Sequence, residues 1–468
     1  MSTGYAEFLA RKAGVGADSG FDPTWLPPQL FPFQRDLATW AIRKGCAGLF
    51  ADCGLGKTAM QFAWAENVRR RSGRPVLIVA PLGVTFQTER EAAKFGVEAA
   101  ISRDGAVAAG ITVTNYDRLH HFDPADWGGI VCDESSAIKG LDGRRRALVT
   151  RFARALPFRL LASAMAAPND YTELGTQSEA LGQLGLVDML NRFFINARKT
   201  GAIGGGGKAR AKSWGEGGGG GEEWRLKGHA EQPFWRWVAS WARALRRPSD
   251  LGYSDDGYAL PPLDTREHVV AARTHRPGML LDLPASGLRE EREEERRTVS
   301  ERCELAAELL ADAQPGIAWC HRNDESALLA KLIPGAVEVR GGDAIEAKEE
   351  ALLAFTRGEI RVLVTKPSIA AHGLNWQHCS RMTYFPSHSY EQYYQAVRRC
   401  WRFGQASPVR VDLVATEGGA AARDSMIRKA AQADRMFAAL VLHMREASGL
   451  ARVENHTKTM EIPQWIRA

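Results

Sequence analysis

Short apolar runs recur along the first part of the chain: CAGLFA (46–51), PVLIVAP (75–81), GITVTNY (110–116), GGIVCDE (128–134) and FRLLASA (158–164). Between several of them lie helix-compatible stretches such as TAMQFAWAENVRRR and LGVTFQTEREAAKF. Apolar runs this short and unalternating predict strands buried on both faces. Helices between them predict a parallel sheet with right-handed crossovers. The rhythm returns at GIAWCH (316–321), AVEVRG (336–341), IRVLVTK (360–366), RMTYFP (381–386) and VRVDLVA (409–415). The pattern therefore predicts two similar α/β units, and their long period excludes a short solenoid repeat.

Three regions break the rhythm. Pro23, Pro27, Pro28 and Pro32 predict an extended lead-in over 1–30. Gly204–Gly207 and Gly217–Gly221 bracket a stretch almost without apolar residues, which predicts a mobile loop over 200–222. A Trp-rich helical segment (224–247), a connector rich in Pro, Asp and Gly, and a long charged helix (286–313) follow. The expected layout is a lead-in (1–30), a first domain (31–195), an insert with its linker helix (196–313), a second domain (314–440) and a tail (441–468).

Composition narrows the class. The chain has 468 residues, 45% hydrophobic and 25% charged, enough for two or three separate cores. No apolar run approaches the roughly 18 residues of a membrane span, and the N-terminus lacks a secretory core. The seven cysteines are scattered, with no C-x-x-C pair. A cytoplasmic, reduced protein without a metal cluster is expected. The net charge of +6 permits a polyanionic partner without requiring one.

Ala51-Asp52-Cys53-Gly54-Leu55-Gly56-Lys57-Thr58 follows a predicted strand and opens a predicted helix. Gly54 and Gly56 let backbone N–H groups turn around phosphate oxygens at a helix N-terminus. In such a loop Lys57 reaches the β- and γ-phosphates and Thr58 holds Mg²⁺. Ala51 stands where the strict pattern has glycine, and an incidental Gly-rich turn is the plain alternative. Asp133 and Glu134 end another buried strand, at the edge where open α/β sheets bind ligands. Asp133 suits a Mg²⁺ ligand acting through water, and Glu134 a group that orients and deprotonates an attacking water. An ordinary strand-to-loop transition would also carry such residues. Arg399 and Arg402, three apart, would share one helical face and, across an interdomain cleft, stabilise charge on a transferring phosphoryl. A plain basic cluster is the alternative.

In this order, these elements resemble superfamily 2 helicases and translocases, with the closer likeness to the Swi/Snf-type branch. ADCGLGKT is similar to that group's phosphate loop, VLIVAPLGV (76–84) to motif Ia, and VCDESSAIKG to the DEAH-box element. VLVTKPSIAAHGLNWQ (362–377) resembles motif V and QAVRRCWRFGQ motif VI, while Phe31-Pro32-Phe33-Gln34 resembles the adenine-reading element. EEWRLKGHAEQPFWRWVASW and SYEQYYQAVRRCWRFGQ look, more narrowly, like small phage- or prophage-encoded DEAD/DEAH-type helicases. The likeness spans residues 30–440.

The resemblance implies two RecA-like domains, ATP and Mg²⁺ as ligands, and DNA as the track. Gln34 would contact adenine, while Gly54, Gly56, Lys57 and Thr58 would cradle the phosphates and metal. Asp133 and Glu134 would be the metal-binding and water-activating carboxylates. Gly373 and Gln395 would couple nucleotide to nucleic acid, and Arg399 and Arg402 would reach the γ-phosphate, with Arg402 favoured as the finger. It also implies a bacterial host and partners from phage replication, recombination or nucleolytic processing. Two departures stand out: Ser135 and Ser136 replace the usual Ala-His of the acidic box, and Met165 replaces a hydroxyl in motif III (Ser163-Ala164-Met165-Ala166). The expected consequence is ATPase activity poorly coupled to unwinding.

Arg144, Arg145 and Arg146 lead a basic stretch over 139–159 that suits a phosphate backbone, with Arg322 and Lys366 as weaker candidates for the same track. A solvated helix face is the alternative. In the Trp-rich segment, Phe234, Trp237, Trp241 and Leu245 fall on one helical stripe, the mark of a packed face rather than of base stacking. Trp235 and the neighbouring arginines stay candidates for strand contact. REEREEERR (289–297) reads as a solvated helix with i, i+4 pairs. Three functions compete: an ATP-dependent DNA helicase, a double-strand translocase that does not separate strands, and an ATP-gated DNA-binding module with little hydrolysis.

Overall fold

The computed structural model describes residues 18–139, 143–196, 224–273, 288–312, 314–370 and 374–448. The Gly-rich loop, Gly373, the first part of the lead-in and the chain past 448 lie outside the described residues. The described chain forms two units, one from residues up to 256 together with those from 432 onward, the other from 257–431.

The first unit is built on a fully parallel seven-stranded sheet of order β3-β4-β2-β5-β6-β1-β9. Its strands are β1 (Cys46–Ala51), β2 (Val76–Ala80), β3 (Ala99–Ile101), β4 (Ile111–Asn115), β5 (Gly129–Asp133), β6 (Phe158–Ala162) and β9 (Ala242–Leu245). β1, β2, β4 and β5 are buried along their whole length, as continuous apolar runs covered on both faces must be. Helices α1 (Pro32–Lys44), α2 (Lys57–Ser72), α3 (Leu82–Ala92), α4 (Arg144–Arg154), α5 (Glu173–Leu181), α6 (Leu186–Phe193) and α7 (Glu231–Trp241) accompany it. A small antiparallel pair, β7 (Phe194–Asn196) and β8 (Trp224–Leu226), precedes α7.

The second unit repeats the plan with a fully parallel sheet of order β10-β15-β14-β11-β13-β12. Its strands are β10 (Leu263–Val270), β11 (Gly316–Trp319), β12 (Ala336–Val339), β13 (Val362–Thr365), β14 (Arg381–Tyr384) and β15 (Val409–Thr416). The helices are α8 (Leu288–Arg297), α9 (Val299–Leu309), α10 (Asn323–Leu332), α11 (Ile345–Thr356), α12 (Pro367–Ala370) and α13 (Tyr390–Val397). Two parallel-sheet α/β units are therefore present.

Several local expectations change. The lead-in is extended but packed from residue 18 on: buried Asn67 of α2 accepts from Thr24 N (2.8 Å) and Trp25 N (3.2 Å) and donates to Trp25 O (2.6 Å). The segment expected as one insert over 196–313 divides between the units, β9 completing the first sheet and β10 the second. The long charged helix is two helices meeting at buried Thr298. Its outer face carries an i, i+4 pair, Arg289–Glu293, but Glu294 is buried, so the run is not solvated throughout. The final helix, α14 (Ala420–Ser448), gives its residues from Gln432 to the first unit, where Arg246 pairs with Asp434 at 2.8 Å and lies over Phe437. Residues 432–440 thus leave the second domain in which the pattern had placed them.

Candidate active site

Strand β1 delivers the chain to Ala51, and the loop turns through Gly54 (φ +88°) and Gly56 (φ +78°) before α2 begins at Lys57. At Gly56 two constraints coincide: the φ suits glycine, and a Cβ would stand 2.3 Å from Nε2 of Gln34. Gln34, itself buried on the first turn of α1, accepts from Phe31 N (3.0 Å) and donates to Leu55 O (3.0 Å). It therefore braces the loop from behind, with both ends of its amide engaged by the protein. Asp52 N donates to Leu245 O at 2.8 Å, so β9 supports the loop from the side. Lys57 Nζ donates to Ala51 O at 2.8 Å, which holds the ammonium over the loop.

The acidic strand end meets this loop inside the same unit. Gln61, one turn into α2, donates to Asp133 Oδ1 at 2.6 Å, and Tyr116 donates its hydroxyl to Asp133 O at 2.7 Å. Burial, and then the neighbouring Glu134, push the Asp133 carboxyl up to about 6, while Gln61, Lys57 and the Glu134 N–H pull the other way. A divalent cation at this carboxylate would reverse that shift. Thr58, on the first turn of α2, and Asp133, at the end of β5, offer hard oxygen donors. Among the described residues no cluster of three His, Cys, Asp or Glu side chains is set to hold a metal. That donor chemistry fits Mg²⁺, which is held by one or two protein oxygens together with water and phosphate.

Glu134 is the one described non-glycine residue with positive φ (+47°) and is buried. A left-handed conformation costs a glutamate on the order of 1–3 kcal/mol, so packing around it must enforce the turn. Ser163, past the end of β6, places its hydroxyl 3.3 Å from Glu134 Oε2 and 2.9 Å from Met165 O, and accepts from Met165 N at 3.1 Å. Further along that loop, Asn169 donates through its backbone N–H (3.1 Å) and side chain (3.0 Å) to the buried carboxylate of Glu173.

Gln61, Tyr116 and Gln177 are site residues the sequence reading missed. Gln61 lies four residues after Lys57, so it shares that residue's helical face and was findable. Tyr116 and Gln177 left no local signal.

In the second unit the expected arginine pair changes. Helix α13 ends at Val397, so Arg399 and Arg402 lie in the turns beyond it and share no helical face. Arg399 is buried and bonded at Leu374 O (3.0 Å), Gln395 O (3.2 Å) and Gln395 Oε1 (3.3 Å). Gln395 is likewise buried in α13. Arg322 pairs with Asp324, and Lys366 Nζ donates to Asn323 Oδ1 at 2.5 Å, tying both to the start of α10.

On α4 the structure sorts the cations. Arg145 pairs with Asp117 (2.6 Å) and Arg146 with Glu179 (3.0 Å). Arg144, Arg151 and Arg154 are exposed and make no ion pair among the described residues. The tryptophans of α7 are core: Trp235, Trp237 and Trp241 are buried, and Trp235 packs edge-on against Tyr171 and Phe234. Trp235 is therefore not placed to meet a strand, which corrects its candidacy.

No family model and no curated protein matches the chain. Among solved structures, the Sulfolobus solfataricus SWI2/SNF2 ATPase core in complex with dsDNA is similar at 15% identity and a TM-score of 0.40. The match covers 91% of this chain and 98% of that one.

Proposed function

We propose that the chain is an ATPase that couples ATP hydrolysis to movement on DNA. The observation that carries this reading is the junction of phosphate loop and acidic strand end: Gln61, on the helix opened by Lys57, is bonded to Asp133. Triphosphate oxygens would displace Ala51 O as the partner of Lys57, at a helix N-terminus that favours negative charge. Magnesium, held by Thr58 and Asp133, would screen the β- and γ-phosphate charge. Glu134 would orient a water and take its proton.

The exposed cations Arg144, Arg151 and Arg154 support a polyanionic track. Whether the motion separates strands is tested by pairing two assays on the full chain with Mg²⁺ and ATP. One reads displacement of a third strand from duplex DNA, the other unwinding of a forked duplex. Third-strand displacement without unwinding assigns the double-strand translocase, and unwinding assigns the helicase. Neither, with ATP bound, supports the gated binding module.

A further inference from the structure

Ser135, which stands where the resemblance expects alanine, is fully buried and donates its hydroxyl to Oε1 of Gln177 at 3.2 Å. Gln177, on α5 and also fully buried, donates through Nε2 to the carbonyl of Ala166. Ala166 follows Met165, whose carbonyl and N–H both engage the hydroxyl of Ser163. Ser163 in turn lies 3.3 Å from Glu134 Oε2, and Glu134 precedes Ser135 in the chain. The path closes on itself: Glu134, Ser135, Gln177, Ala166, Met165, Ser163 and back to Glu134. Every link is a covalent bond or a hydrogen bond, and every residue in it is buried.

We propose that Gln177 is a positioning residue for hydrolysis, closing a buried ring that fixes the carboxylate of Glu134 against the Met165 loop. This rests on the reading of Glu134 as the water-activating group of an ATPase. Gln177 is the one member of the ring outside the acidic box and the Met165 loop, and it lies 42 residues from Ser135 in sequence. A glutamine suits the task because one planar amide offers an acceptor to Ser135 and a donor to Ala166. Its effect on Glu134 runs through Ser163, whose single hydroxyl proton has two acceptors, Met165 O and Glu134 Oε2. Holding the Ala166 peptide keeps the Met165 N–H on the Ser163 oxygen, and so keeps the Ser163 hydroxyl within reach of Glu134 Oε2. The ring also ties down a residue whose left-handed backbone would otherwise relax.

The test uses the full chain and steady-state hydrolysis of Mg·ATP with DNA present, comparing Gln177→Met, Ser135→Ala and the double variant. Melting temperature and affinity for a fluorescent ATP analogue are measured alongside. Gln177→Met is expected to lower kcat about tenfold with KM changed less than about threefold, and Ser135→Ala to lower kcat in the same direction. Because both cut one ring, the double variant should be no slower than the slower single variant. Ser135→Ala removes one oxygen and keeps the test open if Gln177→Met does not fold. An unchanged kcat in either folded variant, or losses that multiply in the double variant, would overturn the assignment. Absence of hydrolysis in the unsubstituted chain would instead overturn the ATPase reading on which it rests.

Discussion

Gln61 Nε2 lies 2.6 Å from Asp133 Oδ1, so the helix that follows the Gly54–Gly56 turn is bonded directly to the acidic end of β5. Both side chains are buried. Removing the donor leaves a buried carboxylate short of a partner, which costs about 1–3 kcal/mol. Gln61→Ala is expected to lower unfolding stability by that amount and to raise the Mg²⁺ concentration needed for half-maximal hydrolysis. Denaturant titration and a Mg²⁺ titration of ATPase rate check the two effects.

Gly56 faces Gln34 so closely that any side chain must displace the amide, at a φ that already disfavours one. Gly56→Ala is expected to weaken ATP binding at least about tenfold, because the loop's N–H groups lose their common orientation. Gln34→Ala, which removes the brace without adding bulk, should weaken it less. Equilibrium titration with a fluorescent ATP analogue compares them.

The exposed cations of α4 give a prediction in salt dependence. Each arginine that neutralises a phosphate adds about 0.9 to the slope of log affinity against log salt for duplex DNA. Replacing Arg144, Arg151 and Arg154 with glutamine should flatten that slope by up to about 3. Replacing Arg145 and Arg146, already paired with Asp117 and Glu179, should flatten it less. Affinity for duplex DNA at several salt concentrations decides between them.

The second unit should lose stability in mild acid. Burial holds His321 below its ordinary value, against the opposing pull of Glu325 and of the Phe385 carbonyl, which its Nε2 meets at 3.0 Å. Folded, the imidazole stays neutral while the unfolded chain takes up a proton below about pH 6.5. Its contribution is therefore complete above that pH and is lost as pH falls toward the depressed folded value. Desolvation lowers His378 as well, which adds to the trend. His321→Gln keeps a donor for Phe385 and should flatten the fall in melting temperature between pH 7.5 and 5.5.

The strands read most clearly in the sequence were those buried on both faces, because continuous burial demands a continuous apolar run. β10 left no such run. It is an edge strand with one neighbour and its Arg266 and Glu267 exposed, so LDTREHVV shows charge where a central strand would show valine. β9 was hidden in ARAL, which continues the arginine-rich surroundings of α7 and reads as more helix. At the candidate site, Lys57 opens a helix after a Gly-rich turn and Asp133 ends a buried strand, both legible because a turn into a helix and a strand end are local patterns. Helical spacing misplaced Arg399 and Arg402, since α13 stops before either is reached. Gln177 was illegible because its meaning depends on two partners that only folding brings to it.

The central claim is tested most directly by ATP hydrolysis of the purified chain with Mg²⁺. The rate is measured alone and with single-stranded DNA, duplex DNA, forked DNA or single-stranded RNA, with Glu134→Gln as the control. The account predicts hydrolysis stimulated by DNA and abolished in Glu134→Gln, while that variant still binds ATP. Bound ATP with no hydrolysis on any polymer, or hydrolysis that survives Glu134→Gln, would contradict it.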